Sequence, residues 1–304
     1  MPVISVQEHL SQPHPPPQFL ICGLLPYQGK LIIAGQPKVG KSFLLLEMAI
    51  CLTSGTPFLG VFPIRNQVKV TLLQVELPTD ILTNRLIAAS KIARDGALDR
   101  FYLLQTRGLR LNKESDLLQL KQELAPIHPQ VLLLDPLFML YTGSYQFLDE
   151  VAEFFNNLDN LSSSLSLATV VVHHLRKPMR DRYGRIVEQS ALDILGSIAF
   201  RGGVDASIIL QGHPDKLEIQ FDLRHLPPTD PMIVSFSTKA PFFRPVKVPP
   251  LLTIISLLSD RVPKTRSWIA NHSKVHHREV SEILGMLEDL RVVERDQNAY
   301  RLCW

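Results

Sequence analysis

The chain has 304 residues, 45% hydrophobic and 20% charged, with a net charge of +3; that is length for one large domain and a small one, in an ordinary globular composition. So even a charge balance excludes binding to nucleic acid through the overall field, and any such affinity must come from local basic clusters. Three dispersed cysteines (Cys22, Cys51, Cys303) without a C-x-x-C imply neither a disulfide framework nor a metal site. No apolar run reaches the roughly 18 residues of a membrane span. The start, MPVISVQEHL, lacks the layout of a signal peptide. A cytoplasmic protein with no membrane partner is expected.

Residues 1–28 are proline-rich (PHPPP at 13–17) and predict an irregular arm, either a floppy tail or a segment that packs through FLICGLLP on its own or a neighbouring domain. Lys30 to Ser42 then reads KLIIAGQPKVGKS, an apolar run that meets Gly35 and is followed at the set interval by Gly40, Lys41 and Ser42. This is G-x-x-x-x-G-K-S, the phosphate-binding P-loop. Its glycines let the backbone curl so that successive N–H groups of Gly35, Gln36, Pro37, Lys38, Val39, Gly40, Lys41, Ser42 and Phe43 (Pro37 lending only shape) surround phosphates. Lys41 reaches the β/γ-phosphates, Ser42 holds Mg²⁺, and the helix that begins there adds its positive end. ATP and Mg²⁺ are the expected ligands.

Val68 to Glu76 predicts a buried strand, and Pro78 opens a helix. Phe101 to Gln105 is a short strand; leucines between Asn112 and Pro126 recur at helical spacing. Val131 to Asp135 (VLLLD) is a strand that ends on a carboxylate. A helical pattern covers Gln146 to Leu161, and the strand ATVVVHH ends at His173 and His174. Three apolar or alternating strands follow, at Ala206–Leu210, Leu217–Leu223 and Met232–Phe236. The expected fold is α/β: a mainly parallel sheet with helices on both faces and an antiparallel edge. Prolines cluster from Ala240 to Pro250 and predict a linker. Three helices and a hairpin after it outline a winged helix. The expected domains are an arm (1–28), an ATPase core (29–239), a linker (240–250) and a winged-helix-like domain (251–304).

Hydrolysis needs more than a P-loop. Asp135, at the carboxyl end of a buried strand, suits Mg²⁺, and Glu76, at the end of the strand after the P-loop helix, suits activation of the attacking water. One ring of the His173–His174 pair could report the γ-phosphate to the next loop, and His173 is preferred; a metal pair or a core role are the bland readings. That loop carries Arg176, Lys177, Arg180, Arg182 and Arg185 around Asp181, Tyr183 and Gly184. A basic loop with an aromatic suits a single-stranded nucleic-acid backbone, or is a solvated surface loop.

In that order, GQPKVGKS, QVELP, VLLLDP, VVVHHLRKP and LGSIAFRGGVDASIIL resemble the RecA-fold ATPases of the RepA/DnaB type, over about residues 18–240. The resemblance implies a RecA-like P-loop core, with Lys41 and Ser42 on phosphate and Mg²⁺, Asp135 on Mg²⁺ through water, and Glu76 as catalytic base. It also implies a γ-phosphate sensor in the His pair and a strand-binding loop lining the pore of a homo-hexamer. A neighbour's arginine completes the site in such rings. DLRHLPPTD is similar to the family's K-x-R-x-G-P turn and makes Arg224 the candidate, although Asp222 and Leu226 replace the lysine and the glycine; Arg201 is the runner-up. The activity implied is ATP-driven translocation on single-stranded DNA by a helicase, with duplex DNA or a protein bound through the C-terminal piece. The alternative is a non-motor, ATP-switched DNA-binding protein in replication initiation, plasmid maintenance or recombination.

Overall fold

The computed structural model describes residues 3–13, 17–141, 148–175, 183, 202–213 and 215–303. In chain order these form α1 (Val6–Ser11), β1 (Phe19–Ile21), β2 (Leu25–Pro26), β3 (Lys30–Gly35), α2 (Lys41–Ser54), β4 (Val70–Gln74), α3 (Thr79–Ser90) and β5 (Phe101–Gln105). Then come α4 (Glu114–Leu124), β6 (Val131–Asp135), α5 (Leu148–Leu165), β7 (Ala168–His174), β8 (Ala206–His213), β9 (Lys216–Leu223), β10 (Met232–Phe236) and β11 (Phe243–Lys247). The last segment holds α6 (Pro250–Leu257), β12 (Lys264–Thr265), α7 (Arg266–Ser273), α8 (His277–Asp289), β13 (Val293–Asp296) and β14 (Ala299–Leu302).

Among the described residues one nine-stranded sheet runs β11-β10-β9-β8-β3-β7-β6-β4-β5. The six strands from β8 to β5 are parallel, and β9, β10 and β11 continue one edge antiparallel. The expected α/β architecture holds. The parallel strands are apolar almost throughout because helices cover both faces. Leu31, Ile33, Val70, Leu72, Leu133, Val170 and Val172 pack under α2 and α3, whereas Ile32, Leu73, Leu132, Leu134 and Val171 pack under α4 and α5. Strand parity therefore decides which side chains share a face with the P-loop helix. α2 is apolar nearly all round, as a helix enclosed on every side must be.

Two expectations are corrected. The stretch 240–250, read as a linker, supplies β11 and the first residue of α6. Pro245 lies within the strand opposite Val234, and a proline is tolerated there because β11 is the outermost strand. For the arm 1–28 it is the irregular reading that gives way and the packed alternative that holds: β1 pairs with β2, and Ile21, Leu24 and Leu25 are enclosed in the main core. Phe19 and Cys22 pack instead with Leu251, Ile254 and Ile255 of the C-terminal unit. By contrast, α1 buries no residue.

After the sheet, three helices and the small sheet β12-β14-β13 share one apolar cluster. α7 starts on Thr265, whose hydroxyl accepts the N–H of Trp268. α8 turns Val280, Ile283, Leu284 and Leu287 inward. Among the described residues no helix is long and apolar enough to cross a membrane.

Candidate functional site

β3 delivers the chain to the carboxyl end of the sheet, and the turn into α2 is built for close approach. A side-chain carbon on Gly35 would lie 2.8 Å from the Leu210 carbonyl oxygen. Gly40 has φ +94°, which side chains rarely adopt, and its α-carbon faces the rings of Phe236 and Phe243. Lys41 is 7% exposed. Its Nζ curls back and donates to the carbonyl oxygens of Gly35 (2.9 Å) and Gln36 (2.8 Å). Burial pushes its pKa down to about 8, against the opposing pull of Asp135 and Glu76.

β6, two strands from β3, carries Asp135 to the same end, 3% exposed. Burial raises its carboxyl to about 6; a hydrogen bond from Ser42 works against that, Glu76 adds to it, and Arg85 and Lys41 oppose it. Glu76 is exposed just past β4, and its charge acts on both Lys41 and Asp135. Lys41, Ser42, Glu76 and Asp135, predicted as one site, therefore converge. Phe43 stands beside them, with the Arg85 guanidinium 4.6 Å over its ring.

Gln74 and Arg85 were missed by sequence reasoning. Gln74 is buried and sits in register with Asp135. Its Nε2 donates to Asp135 Oδ2 (3.1 Å), while its Oε1 accepts the N–H groups of Glu76 (2.6 Å) and Leu77 (3.1 Å). One amide thus fixes two carboxylate-bearing segments. The available signal was a polar residue in a strand buried on both faces, two positions before Glu76. Arg85 has only its spacing on α3 to announce it.

Asp135 and the Ser42 hydroxyl suit Mg²⁺, a hard cation held by one or two protein oxygens together with phosphate and water. Burial deprives the Asp135 carboxylate of water despite Arg85 and Lys41 nearby, and a divalent ion would offset that loss. Among the described residues no cluster of three or more His, Cys, Asp or Glu side chains is placed to hold a metal by itself.

The two histidines of the preferred pair point to opposite faces of the sheet. His173 is fully buried and has the parity of Val171, on the α4–α5 face. His174 has the parity of Val172, on the P-loop face, and pairs in register with Gly35. It is half-buried, packs 5.3 Å from the Phe138 ring, and burial and then Lys41 lower its pKa.

Arg224 lies at the other end of the sheet. β9 runs antiparallel, so Leu223 is opposite Ala206, at the amino end of β8, and Gly35 is about one strand length, roughly 16 Å, away. Arg224 faces Asp205 (3.6 Å) and donates to the Gly202 carbonyl (3.3 Å). Arg176, Lys177, Arg180, Arg182, Arg185 and Arg201 lie outside the described residues; Tyr183 is exposed.

A family model described as an AAA domain matches residues 3–180. Among solved structures the chain is similar to the ATPase domain of G40P, at 14% identity and a TM-score of 0.55, over 80% of this chain and 96% of that one. It is also similar to a DnaB-like replicative helicase studied with its interactions with primase, at 15% identity and a TM-score of 0.54, over 72% of this chain and 57% of that one. The chain thus spans little more than half of the second protein. Identities this low carry the fold alone. No curated protein matches.

Proposed function

The chain belongs to the AAA-domain family of P-loop ATPases, and from that premise we propose that it is an ATP-hydrolysing helicase of RepA-like type that translocates on single-stranded DNA as a homo-hexameric ring in the cytoplasm. The observation that carries this is the convergence of Lys41, Ser42, Asp135, Glu76 and Arg85 at one end of the sheet, with Gln74 tying the two carboxylate segments together.

In the mechanism, Lys41 leaves the Gly35 and Gln36 carbonyls for the β/γ-phosphate oxygens of ATP, which restore the charge that burial disfavours. Ser42 and Asp135 hold Mg²⁺, whose chemistry is to neutralise charge developing on the phosphates. Glu76, exposed and hung from Gln74 by its own N–H, orients the attacking water and takes its proton. His174, rather than His173, senses the γ-phosphate and passes its state to the adjoining basic segment 176–185, which tracks the DNA backbone. Arg224 is too far from its own phosphate loop to serve it, so its role is in trans, at a neighbour's site.

The ATPase core is proposed to run from 29 through β11, and the C-terminal unit to be a winged helix. The outward charged residues of α8 are Glu279, Glu282, Glu288 and Asp289 against one arginine, Arg278, which pairs with Glu282; Met286 is 43% exposed, and Leu290, just after the helix, 52%. Such a face repels phosphate and suits a protein partner better than duplex DNA.

The test is the ATPase rate with and without single-stranded DNA at two salt concentrations, with particle mass measured on the same samples. Stimulation that fades with salt, together with a ring-sized species, is expected. A slow, unstimulated rate on a monomer or dimer would favour the ATP-switched DNA-binding alternative.

A further inference from the structure

The antiparallel edge of the sheet holds a buried carboxylate that the phosphate chemistry does not use. Glu47 stands on α2, six residues after Lys41, and is 3% exposed. Its Oε2 accepts the backbone N–H groups of Phe242 (2.7 Å) and Phe243 (3.0 Å). These residues lie where the turn after β10 enters β11, and the same segment places rings on the phosphate loop. A side-chain carbon built on Gly40 would lie 3.1 Å from Phe243 Cζ and 3.2 Å from Phe236 Cε2. The two rings are 5.2 Å apart, and Phe43 packs on Phe236 and Phe242 at 5.3 and 5.0 Å. Beyond β11 the chain enters α6 within three residues.

A carboxylate among phenylalanines is an expensive way to fill space. An aliphatic side chain at position 47 would pack as well, but it could not fasten two amides of another element to the phosphate-loop helix. We propose that Glu47 is a positioning residue: it clamps the 236–243 segment against the phosphate loop and thereby couples nucleotide binding to the chain that leads into the C-terminal unit. This rests on the ATPase reading above.

Burial pushes Glu47 up to about 7, with the Phe243 and Phe242 amides pulling it down. The groups that face it from the 236–243 segment are the backbone amides of Phe242 and Phe243, and the one charged side chain of that segment, Lys239, is exposed. Along α2, its charge acts on Cys51, whose thiol burial drives to about 12. The ionised clamp makes the stronger hydrogen bonds, yet ionisation opposes folding. With the folded pKa raised above the ordinary 4.5, stability falls as pH rises from about 4.5 to about 7 and is level above that. Clamping and folding therefore respond to Glu47 in opposite directions, and a merely structural role would not separate them.

The experiment compares full-length wild type with Glu47→Gln for affinity toward a fluorescent ATP analogue at pH 6 and pH 8, thermal unfolding at pH 8, and amide exchange over 240–247. Lys41 and Asp135 titrate in both proteins, so the ratio of affinities isolates Glu47. Near-equal affinity is expected at pH 6 and about fivefold weaker binding by the variant at pH 8. At pH 8 its unfolding temperature should be equal or higher, and nucleotide should slow exchange over 240–247 only in wild type. Equal affinities at both pH values, with wild type binding normally, would overturn the clamp. Wild type that binds no ATP would instead bring down the ATPase reading, and the clamp with it. Should Glu47→Gln not fold, Phe243→Leu keeps the carboxylate and removes a ring from Gly40. It should weaken binding at both pH values, and unchanged binding would equally overturn the proposal.

Discussion

The two ends of the one sheet treat charge in opposite ways. At the carboxyl end, Lys41 and Asp135 are almost wholly enclosed, and burial is the largest influence on each, driving both toward their neutral forms. At the amino end, a cleft of about 490 Å³ is lined by Lys30, Asp159, Asp205 and Arg224, and there charge meets charge near the surface: Lys30 with Asp159, Arg224 with Asp205. Buried charges that cost stability and converge at the mouth of a phosphate loop make that end the candidate binding site. Groups already neutralised by exposed partners cost little and gain little, and they mark a surface that can exchange those partners for another subunit's. On the reading proposed above, chemistry belongs to the first end and assembly to the second.

The largest break in that contrast is Lys41→Ala. ATP turnover, read as phosphate release, should fall by at least about a hundredfold. The unfolding temperature should hold or rise, because the variant no longer encloses an ammonium. The wild type should also lose ATP affinity as pH climbs through about 8, where free Lys41 gives up its proton and the phosphates lose their cation; the variant should lack this limb. A fall in turnover matched by a fall in stability would mean that Lys41 serves the fold instead.

Gln74→Leu sharpens the comparison with a smaller effect. Leucine fits the apolar strand but abandons Asp135 Oδ2 and the N–H groups of Glu76 and Leu77, each exposed to a cost of about 1–3 kcal/mol if left unsatisfied. Because the phosphate loop is untouched, KM for ATP should change little while kcat drops about tenfold. An equal rise in KM would show that Gln74 shapes nucleotide binding rather than the placing of Glu76.

What the sequence revealed and hid follows the same physics. The phosphate loop, Glu76 and Asp135 were legible because each is tied to a strand end by spacing or by an abrupt charge after apolar residues. Which of His173 and His174 shares the face of the phosphate loop could not be read, because choosing between neighbours on a strand requires its register. Leu134 pairs with Val171, so Asp135 shares parity with His174, and that pairing is not written in either strand alone. β11 was hidden by Pro245 and the prolines after it, which stop a central strand but not an outermost one. Gln74 read as filler because a lone amide in an apolar run declares no partner, and Glu47 was invisible because its partners are backbone amides nearly two hundred residues away.

The smallest expected effect is Asp205→Asn, at the amino end. Asp205 Oδ2 accepts the N–H of Lys30 (2.8 Å), a bond an amide oxygen can keep. What the change removes is charge opposite Arg224 at 3.6 Å and His225 at 4.0 Å. Arg224 is 54% exposed, and pairs of that kind contribute about 0–1 kcal/mol. The unfolding temperature should therefore move by no more than about 2 °C. Turnover is the discriminating measurement, because Asp205 holds Arg224 within its own subunit. If Arg224 completes a neighbour's site, freeing it should alter ATPase in the assembled protein and leave the dilute, dissociated protein unchanged. Arg224→Ala should then abolish the assembly-dependent part of the rate, with nucleotide affinity retained. If neither variant alters the assembled rate, the paired charges at this end only close the surface of the sheet, and the completing arginine lies elsewhere.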